Sequence, residues 1–279
     1  MNMEIVMKRI IIFILTAVLL LSLSSCFLLP TVESMDWAIL TVTEEDARKG
    51  DLVIVKAGDS ALPPADADLG TVADVWKAHA PSKYQISNPD ARLDKDALEA
   101  LDDMLTAFYH AKKTDNVLVT AAYLTPEELE SRPADHLTGL TCELKYITSD
   151  ENGAIVTHDL SEDPTCAWFA ENCYRYGFVV RYPADKAAVT GVTGFADCFR
   201  YVGPLHAEYM FEHGLCLEEY IEELKGYDRM KRLSVYTNGE HYELFYADIS
   251  VSKEVLYPAY TSITYSGTGD SGMIIIVRD

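Results

Sequence analysis

The chain has 279 residues, 49% of them hydrophobic, and 44 Asp and Glu against 23 Lys and Arg give it a formal charge of −21. That length suits one large domain or a domain with a small appendage, and that hydrophobic share excludes a wholly disordered chain. So acidic a surface repels phosphate backbones, which excludes nucleic acid as a partner and suits solubility in a charged extracellular setting.

The N-terminus carries a targeting pattern. "MKR" (Met7–Arg9) is a positive n-region, and the apolar run "IIIFILTAVLLLSLS" behind it is an h-region, so residues 1–25 read as a secretory signal peptide. The run ends in "LSSC" (Leu23–Cys26), which resembles the bacterial lipobox. Cleavage before Cys26 and lipid attachment to its sulfur would place the protein outside the cytoplasm, anchored to the bacterial cell membrane. The alternative is an ordinary signal peptide with an incidental cysteine. Residues 26–45 then read as a lipid-anchored tether.

"DLVIVKAG" (51–58) alternates like a strand, and "ALPPADADLG" reads as a loop. Apolar residues at 98, 101, 104, 105 and 108 have the spacing of an amphipathic helix. "NVLVTAAYL" (116–124) predicts a buried strand. "TPEELE" predicts a helix start, with Thr125 as N-cap, Pro126 at N1 and Glu128 closing a capping box. "LTGLTCELKYI" (137–147) predicts a strand leaving a glycine turn. "DPTCAWFAENCYRYG" predicts a helix from its cap Asp163 to the terminating Gly177. "FVVRYP" and "FRYVG" read as short strands, and "LHAEYMFEHG" and "CLEEYIEEL" as helices about Gly214. Beyond residue 232 the texture turns to alternating strands, with Asn238-Gly239 as a hairpin signal.

Six cysteines occur, at 26, 142, 166, 173, 198 and 216. With Cys26 lipidated an odd number remains, which cannot all pair. Cys166 and Cys173 lie seven apart on a predicted helix, a rise of about 10 Å, beyond the roughly 7 Å that a disulfide's Cα atoms allow. Buried free thiols are the expectation.

Four blocks stand in order: "DHLTGLTCEL" (135–144), "YGFVVRYP" (176–183), "FRYVG" (199–203) and "LCLEEYIEEL" (215–224). On them, the chain from "KGDLVIVK" (49–56) onward resembles the VanY-type D-alanyl-D-alanine carboxypeptidases. These are zinc enzymes of the lysostaphin, D-Ala-D-Ala peptidase and hedgehog fold group. The tail "YTSITYSGTGDSGMIIIV" resembles a C-terminal extension common among such proteins in Gram-positive bacteria. The resemblance implies an α+β fold: a carboxypeptidase-like core over 46–230, an antiparallel sheet with helices, and a small β-rich extension over 231–279.

The resemblance also implies a site. The family pattern H-x6-D falls on His136 and Glu143, and the second His of "EPWHxRYVG" falls on Cys198. Zinc accepts nitrogen, carboxylate and thiolate donors, so His136, Glu143 and Cys198 form a chemically competent zinc set. The alternative is a small buried thiol beside a core Phe195. The Glu of that motif, the family's general base, falls on Phe195, which cannot take a proton, so no catalytic residue is assigned. A missing base forfeits about 10²–10⁴ in rate. Asp197 is near, but on an extended backbone it would face away from Cys198. The family's "SGYRS" reads "AAYLT", which puts Leu124 where its substrate-contacting Arg stands and leaves Tyr123 as a groove-lining, substrate-binding residue. Core or strand packing is the plainer reading of Tyr123, Arg181 and Arg200. Two readings of function stay open: a catalytically impaired lipoprotein that binds peptidoglycan stem peptides or a cell-wall protein, and an active zinc D,D-carboxypeptidase with variant ligands. A purely structural envelope lipoprotein and a Cys198 nucleophile activated by His136 are the minor alternatives.

Overall fold

The structure is a computed structural model that describes residues 36–56, 68–79 and 81–278. The signal segment, Cys26 and the tether up to residue 35 lie outside the described residues. The first elements are β1 (Trp37–Thr41), β2 (Leu69–Thr71), α1 (Val72–Ala78), β3 (Gln85–Ile86), β4 (Arg92–Asp94), α2 (Lys95–Lys112) and β5 (Val117–Ala121). Next come β6 (Thr141–Ser149), β7 (Ile155–His158), α3 (Ala167–Asn172), β8 (Phe178–Val180), α4 (Ala187–Thr190) and β9 (Cys198–Tyr201). Helices α5 (Pro204–His213) and α6 (Leu217–Leu224) precede β10 (Leu233–Thr237), β11 (Glu240–Asp248), β12 (Glu254–Pro258), β13 (Ser262–Gly267) and β14 (Gly272–Arg278).

β6 organises the core sheet, whose order is β3-β5-β6-β9-β8 with β7 on the end of β6. The pairs are antiparallel except β3 with β5. Because successive side chains of a strand point to opposite faces, β6 sorts its residues. Cys142 and Leu144 enter the apolar core, while Thr141, Glu143 and Lys145 share the other face. The apolar face is covered by α2, whose Leu98, Leu101, Met104, Leu105 and Phe108 are all buried at the predicted spacing. Asp94 caps that helix by accepting from the Asp96 and Ala97 N–H groups, and Lys113 ends it in the left-handed region at φ 60°. Phe108 stacks on Phe169 with centroids 4.4 Å apart. Each such buried side chain contributes about 1.5–3 kcal/mol.

A second apolar cluster lies where Met210 of α5 and Tyr220, Ile221 and Leu224 of α6 meet Leu233, Leu244 and Ile274. Those three belong to the C-terminal four-stranded sheet, of order β10-β11-β14-β13. Its hairpin turns at Asn238 and Gly239, with φ 51° and 79°, the two positive values that an Asn-Gly turn supplies. The architecture is therefore the expected α+β one.

Several sequence expectations are corrected in detail. Residues 51–56 form no strand; the carbonyls of Asp51 and Val53 accept from the Arg200 guanidinium at 3.0 Å each, and Ile54 N–H bonds to Thr268 O. The alternation there reflects burial on a loop. "TPEELE" starts as a helix would, with the Glu128 carboxylate on Thr125 N–H at 3.0 Å. It stops as a turn because Glu130 takes φ 48° and Pro133 restricts the residue before it. The 163–177 helix is a short α3 between two 3-10 turns. Within the segment read as a tether, Trp37–Thr41 pair antiparallel with β12. The five described cysteines are free and buried. Among the described residues, no helix is long and apolar enough to cross a membrane.

Candidate metal centre

The site forms where the start of β6 meets the start of β9. The register pairs Glu143 directly with Cys198, which puts both side chains on the same face of the sheet. His136 arrives from the 3-10 turn Ala134–Thr138, which Gly139 closes at φ 72°, a value that favours glycine. One donor atom from each of His136, Glu143 and Cys198 lies within 4.8 Å of the others, and all three residues are buried. The sequence-predicted trio is brought together.

The imidazole is oriented before any ion arrives. His136 Nδ1 donates to the Ala122 carbonyl at 2.7 Å, so the proton sits on Nδ1 and the Nε2 lone pair faces Cys198 Sγ, 3.9 Å away. Burial lowers the pKa of His136 and favours the neutral, ligating form. Burial also pushes the Cys198 thiol far above its ordinary value, with Glu143 adding to the effect. A thiol so held is a poor nucleophile, and this weighs against the cysteine-nucleophile alternative. The donors are a neutral imidazole nitrogen, a carboxylate and a thiol that ionises on binding metal, and each is a usual zinc ligand. The residues therefore fit the ion that the family resemblance implies. Glu143 is already balanced without it: Arg132 Nε lies 3.3 Å from Oε2 and Lys145 Nζ 3.6 Å from Oε1.

Beside His136 stands a buried charge network that sequence reasoning missed. Asp135 is fully buried and accepts from Arg181 Nε at 3.0 Å, Arg200 Nη1 at 2.8 Å and the Thr141 hydroxyl at 2.5 Å. Arg181 also grips Glu218 of α6 through two bonds of 2.7 and 3.0 Å. Burial alone would raise the Asp135 pKa, but Arg200 and Arg181 hold it well below the carboxylate range. The core reading of Arg181 and Arg200 is right about burial, and the mechanism is ion pairing rather than apolar packing.

The remaining candidates divide. Phe195 is half-buried in the loop before β9, where its carbonyl accepts the Cys198 N–H at 3.1 Å. It is not the fully packed core residue of the plainer alternative. Tyr123 is half-buried under the Arg92 guanidinium, 5.4 Å from its ring, between Ala122 and Leu124, whose backbones bond to His136. Asp197 stands outside the strand whose alternation the expectation used. It precedes β9 in a turn, and its carboxylate takes Lys145 Nζ at 2.9 Å and the Leu160 N–H at 3.3 Å. Lys145 thus separates Asp197 from Glu143. The i, i+2 pairing of Glu143 with Lys145 on a predicted strand was the available signal for that cation.

No family model matches the chain. Over 114 residues it is 38% identical to a D-alanyl-D-alanine carboxypeptidase of Enterococcus faecium, covering 41% of this chain and 37% of that protein. A D-alanyl-D-alanine carboxypeptidase of Enterococcus faecalis is 50% identical over 54 residues, which cover 19% of this chain and 20% of the relative. The chain thus spans well under half the length of these two relatives. In fold it is similar to the vancomycin-resistance D,D-dipeptidase VanXYg, crystallised with a D-Ala-D-Ala phosphinate analogue. The TM-score is 0.67 at 19% identity, over 88% of this chain and all of that one. Sequence likeness and fold agree with the His136, Glu143 and Cys198 geometry: the sequence and structure homologues of the chain are VanY- and VanX-type D-alanyl-D-alanine carboxypeptidases, which supports its assignment to that family.

Proposed function

We propose that this protein is an exported, lipid-anchored member of its family that binds peptidoglycan stem peptides and does not hydrolyse them. The observation that carries the reading is the missing proton acceptor. Phe195 occupies the position where the family resemblance calls for a base, and the nearby Asp197 is committed to Lys145 and to the Leu160 backbone. Hydrolysis needs a group that takes a proton from water within about 2.6–3.2 Å, directly or through one more water. Stem peptide as the ligand is supported by the relatives, named as D-Ala-D-Ala carboxypeptidases, and by the VanXYg complex. The lipid anchor is supported by the Leu23–Cys26 pattern alone.

Zinc held by His136, Glu143 and Cys198 would supply Lewis acidity toward a peptide carbonyl. His136 presents an oriented lone pair, and Glu143 and Lys145 keep the pocket's charge balanced. These are tasks of binding and orientation, and they require no proton transfer. The test is D-alanine release from a stem pentapeptide ending in D-Ala-D-Ala, with and without added zinc. The expected result is no release above buffer; chelator-sensitive turnover overturns the reading. Such turnover would establish the second reading, an active zinc D,D-carboxypeptidase, which the clustering of the three donor atoms within 4.8 Å favours.

A further inference from the structure

A cleft of about 390 Å³ opens in the C-terminal region, and none of its lining residues belongs to the His136, Glu143 and Cys198 cluster. Ser252, Glu254, Val255 and Leu256 form one wall, residues 245–248 of β11 a second, and residues 228–230 a third. Strand β12 is paired on one side only, with β1. The Val42 N–H donates to the Lys253 carbonyl at 2.9 Å, next in register after Thr41 and Glu254. Antiparallel pairs alternate between bonded and unbonded, so Glu254 and Leu256 direct their N–H and C=O groups away from β1. Ser252 occupies that side: its hydroxyl accepts from the Glu254 N–H at 3.1 Å and donates to the Glu254 carbonyl at 3.0 Å. Ser252 lines the cleft and β1 does not, so the open edge of β12 is the one that borders it. On that edge no strand faces Leu256 among the described residues.

An unpaired strand edge is a template for another extended chain. The side chains around it set the chemistry of that chain. Met230 and Val251, 74% and 83% exposed, put apolar surface on the rim. Asp228, Asp248 and Glu254 bring three carboxylates against one guanidinium, that of Arg229, which lies over the Trp37 ring, 5.9 Å from its centre. The N–H groups of Lys231 and Met230 lower the pKa of Asp228, and the hydroxyl and N–H of Ser250 lower that of Asp248, so both stay ionised. We propose that the cleft takes an extended peptide segment of a cationic partner protein, which adds to β12 as a further strand. Its backbone pairs with the Leu256 edge and displaces the Ser252 hydroxyl from Glu254. Its lysine or arginine side chains meet the carboxylates, and its apolar ones cover Met230 and Val251. A second copy of this chain is the poorer occupant, because a net charge of −21 makes copies repel one another.

The experiment follows, by fluorescence anisotropy on the purified full chain, a short labelled peptide that alternates lysine with valine. Its comparisons are the same peptide with glutamate for lysine, and the lysine peptide with every backbone N–H methylated. The expected result is saturable binding of the lysine peptide and a roughly 10-fold or greater weakening in both comparisons. Leu256→Pro removes an N–H that faces away from β1, so it spares that ladder and weakens binding roughly 3–10-fold, the worth of a hydrogen bond. Glu254→Lys reverses an exposed charge, weakens binding to a similar degree, and covers the case in which the proline variant does not fold. Glu151→Lys makes the same change of net charge in the exposed turn between β6 and β7 and leaves the affinity as it was. The proposal is overturned if the wild-type chain does not bind the lysine peptide, if either comparison binds as tightly, or if Glu254→Lys has no more effect than Glu151→Lys. A concentration-dependent dimer in sedimentation, abolished by Leu256→Pro or Glu254→Lys, would seat a second copy in the cleft and overturn the choice of partner.

Discussion

Replacing Asp135 by Asn removes one charge and almost no volume from the most buried ionic group beside the site. Asp135 compensates two guanidiniums whose side chains are 1% and 0% exposed, Arg181 and Arg200. Arg181 would keep Glu218, but Arg200 would retain as hydrogen-bond partners only the carbonyls of Asp51, Val53 and Tyr201, with the Asp51 carboxyl as a more weakly coupled charge. A buried charge stripped of its partner costs about 3–5 kcal/mol, a large share of the roughly 5–15 kcal/mol that holds a domain folded. For a domain of this size the melting temperature should fall by roughly 6–20 °C. The pH dependence has a definite sign. The Asp135 pKa is depressed, so its contribution is present above the unfolded value near 3.9 and is lost only as pH falls through the still lower folded value. The deficit of the variant should therefore be constant from about pH 5 to 8 and shrink in stronger acid. Urea denaturation followed by tryptophan fluorescence measures it. A loss under about 1 kcal/mol at neutral pH would show that the backbone carbonyls and Asp51 suffice to compensate Arg200, and would refute the reasoning.

Two further outcomes are expected. In equilibrium dialysis the chain takes up zinc at one site, and Cys198→Ala or Glu143→Gln weakens uptake by more than the roughly 10–100-fold that a supporting partner is worth. Undiminished uptake in both variants would assign the ion elsewhere. Asp51 is raised by burial to about 6, with Arg200 opposing the shift, so its contribution is full below the unfolded value and lost as pH rises through about 6. Asp51→Asn should accordingly gain up to about 3 kcal/mol at pH 7.5 and little at pH 3.5, and an equal gain at both values in urea midpoints would disprove it.

How much of this was legible in the sequence depended on whether a feature repeats locally. The helical spacing of Leu98, Leu101, Met104, Leu105 and Phe108 and the Asn238-Gly239 turn each declare themselves within a few residues, and both formed as read. His136 and Glu143 were legible through the family pattern, and Cys198 through its place before "FRYVG". The Asp135 network was not, because its bonds join residues 46 and 65 apart and leave no period in the chain. The loop at 51–56 was misread for the same reason: its carbonyls serve a distant arginine instead of a neighbouring strand. The contacts of Asp197 were not legible either, because β9 begins only at Cys198 and strand alternation does not reach the turn before it.

The same geometry separates residues whose substitution disturbs the fold from residues whose substitution does not. His136 is fixed from two sides, by the Ala122 carbonyl and by its neighbour Asp135, which ties the turn to β9 and, through Arg181 just past the end of β8, to α6. Disturbing that anchor unbalances buried charges and costs folding stability. Phe195 carries no such burden. It lies half-buried in a loop and contributes a backbone carbonyl that any residue would supply. Cys198 needs only to be small enough for a fully buried position at the start of β9. A substitution at Phe195 thus leaves the core and the Asp135 anchor of His136 in place. Residues 195 and 135 therefore change with different consequences for folding, because they carry different structural duties.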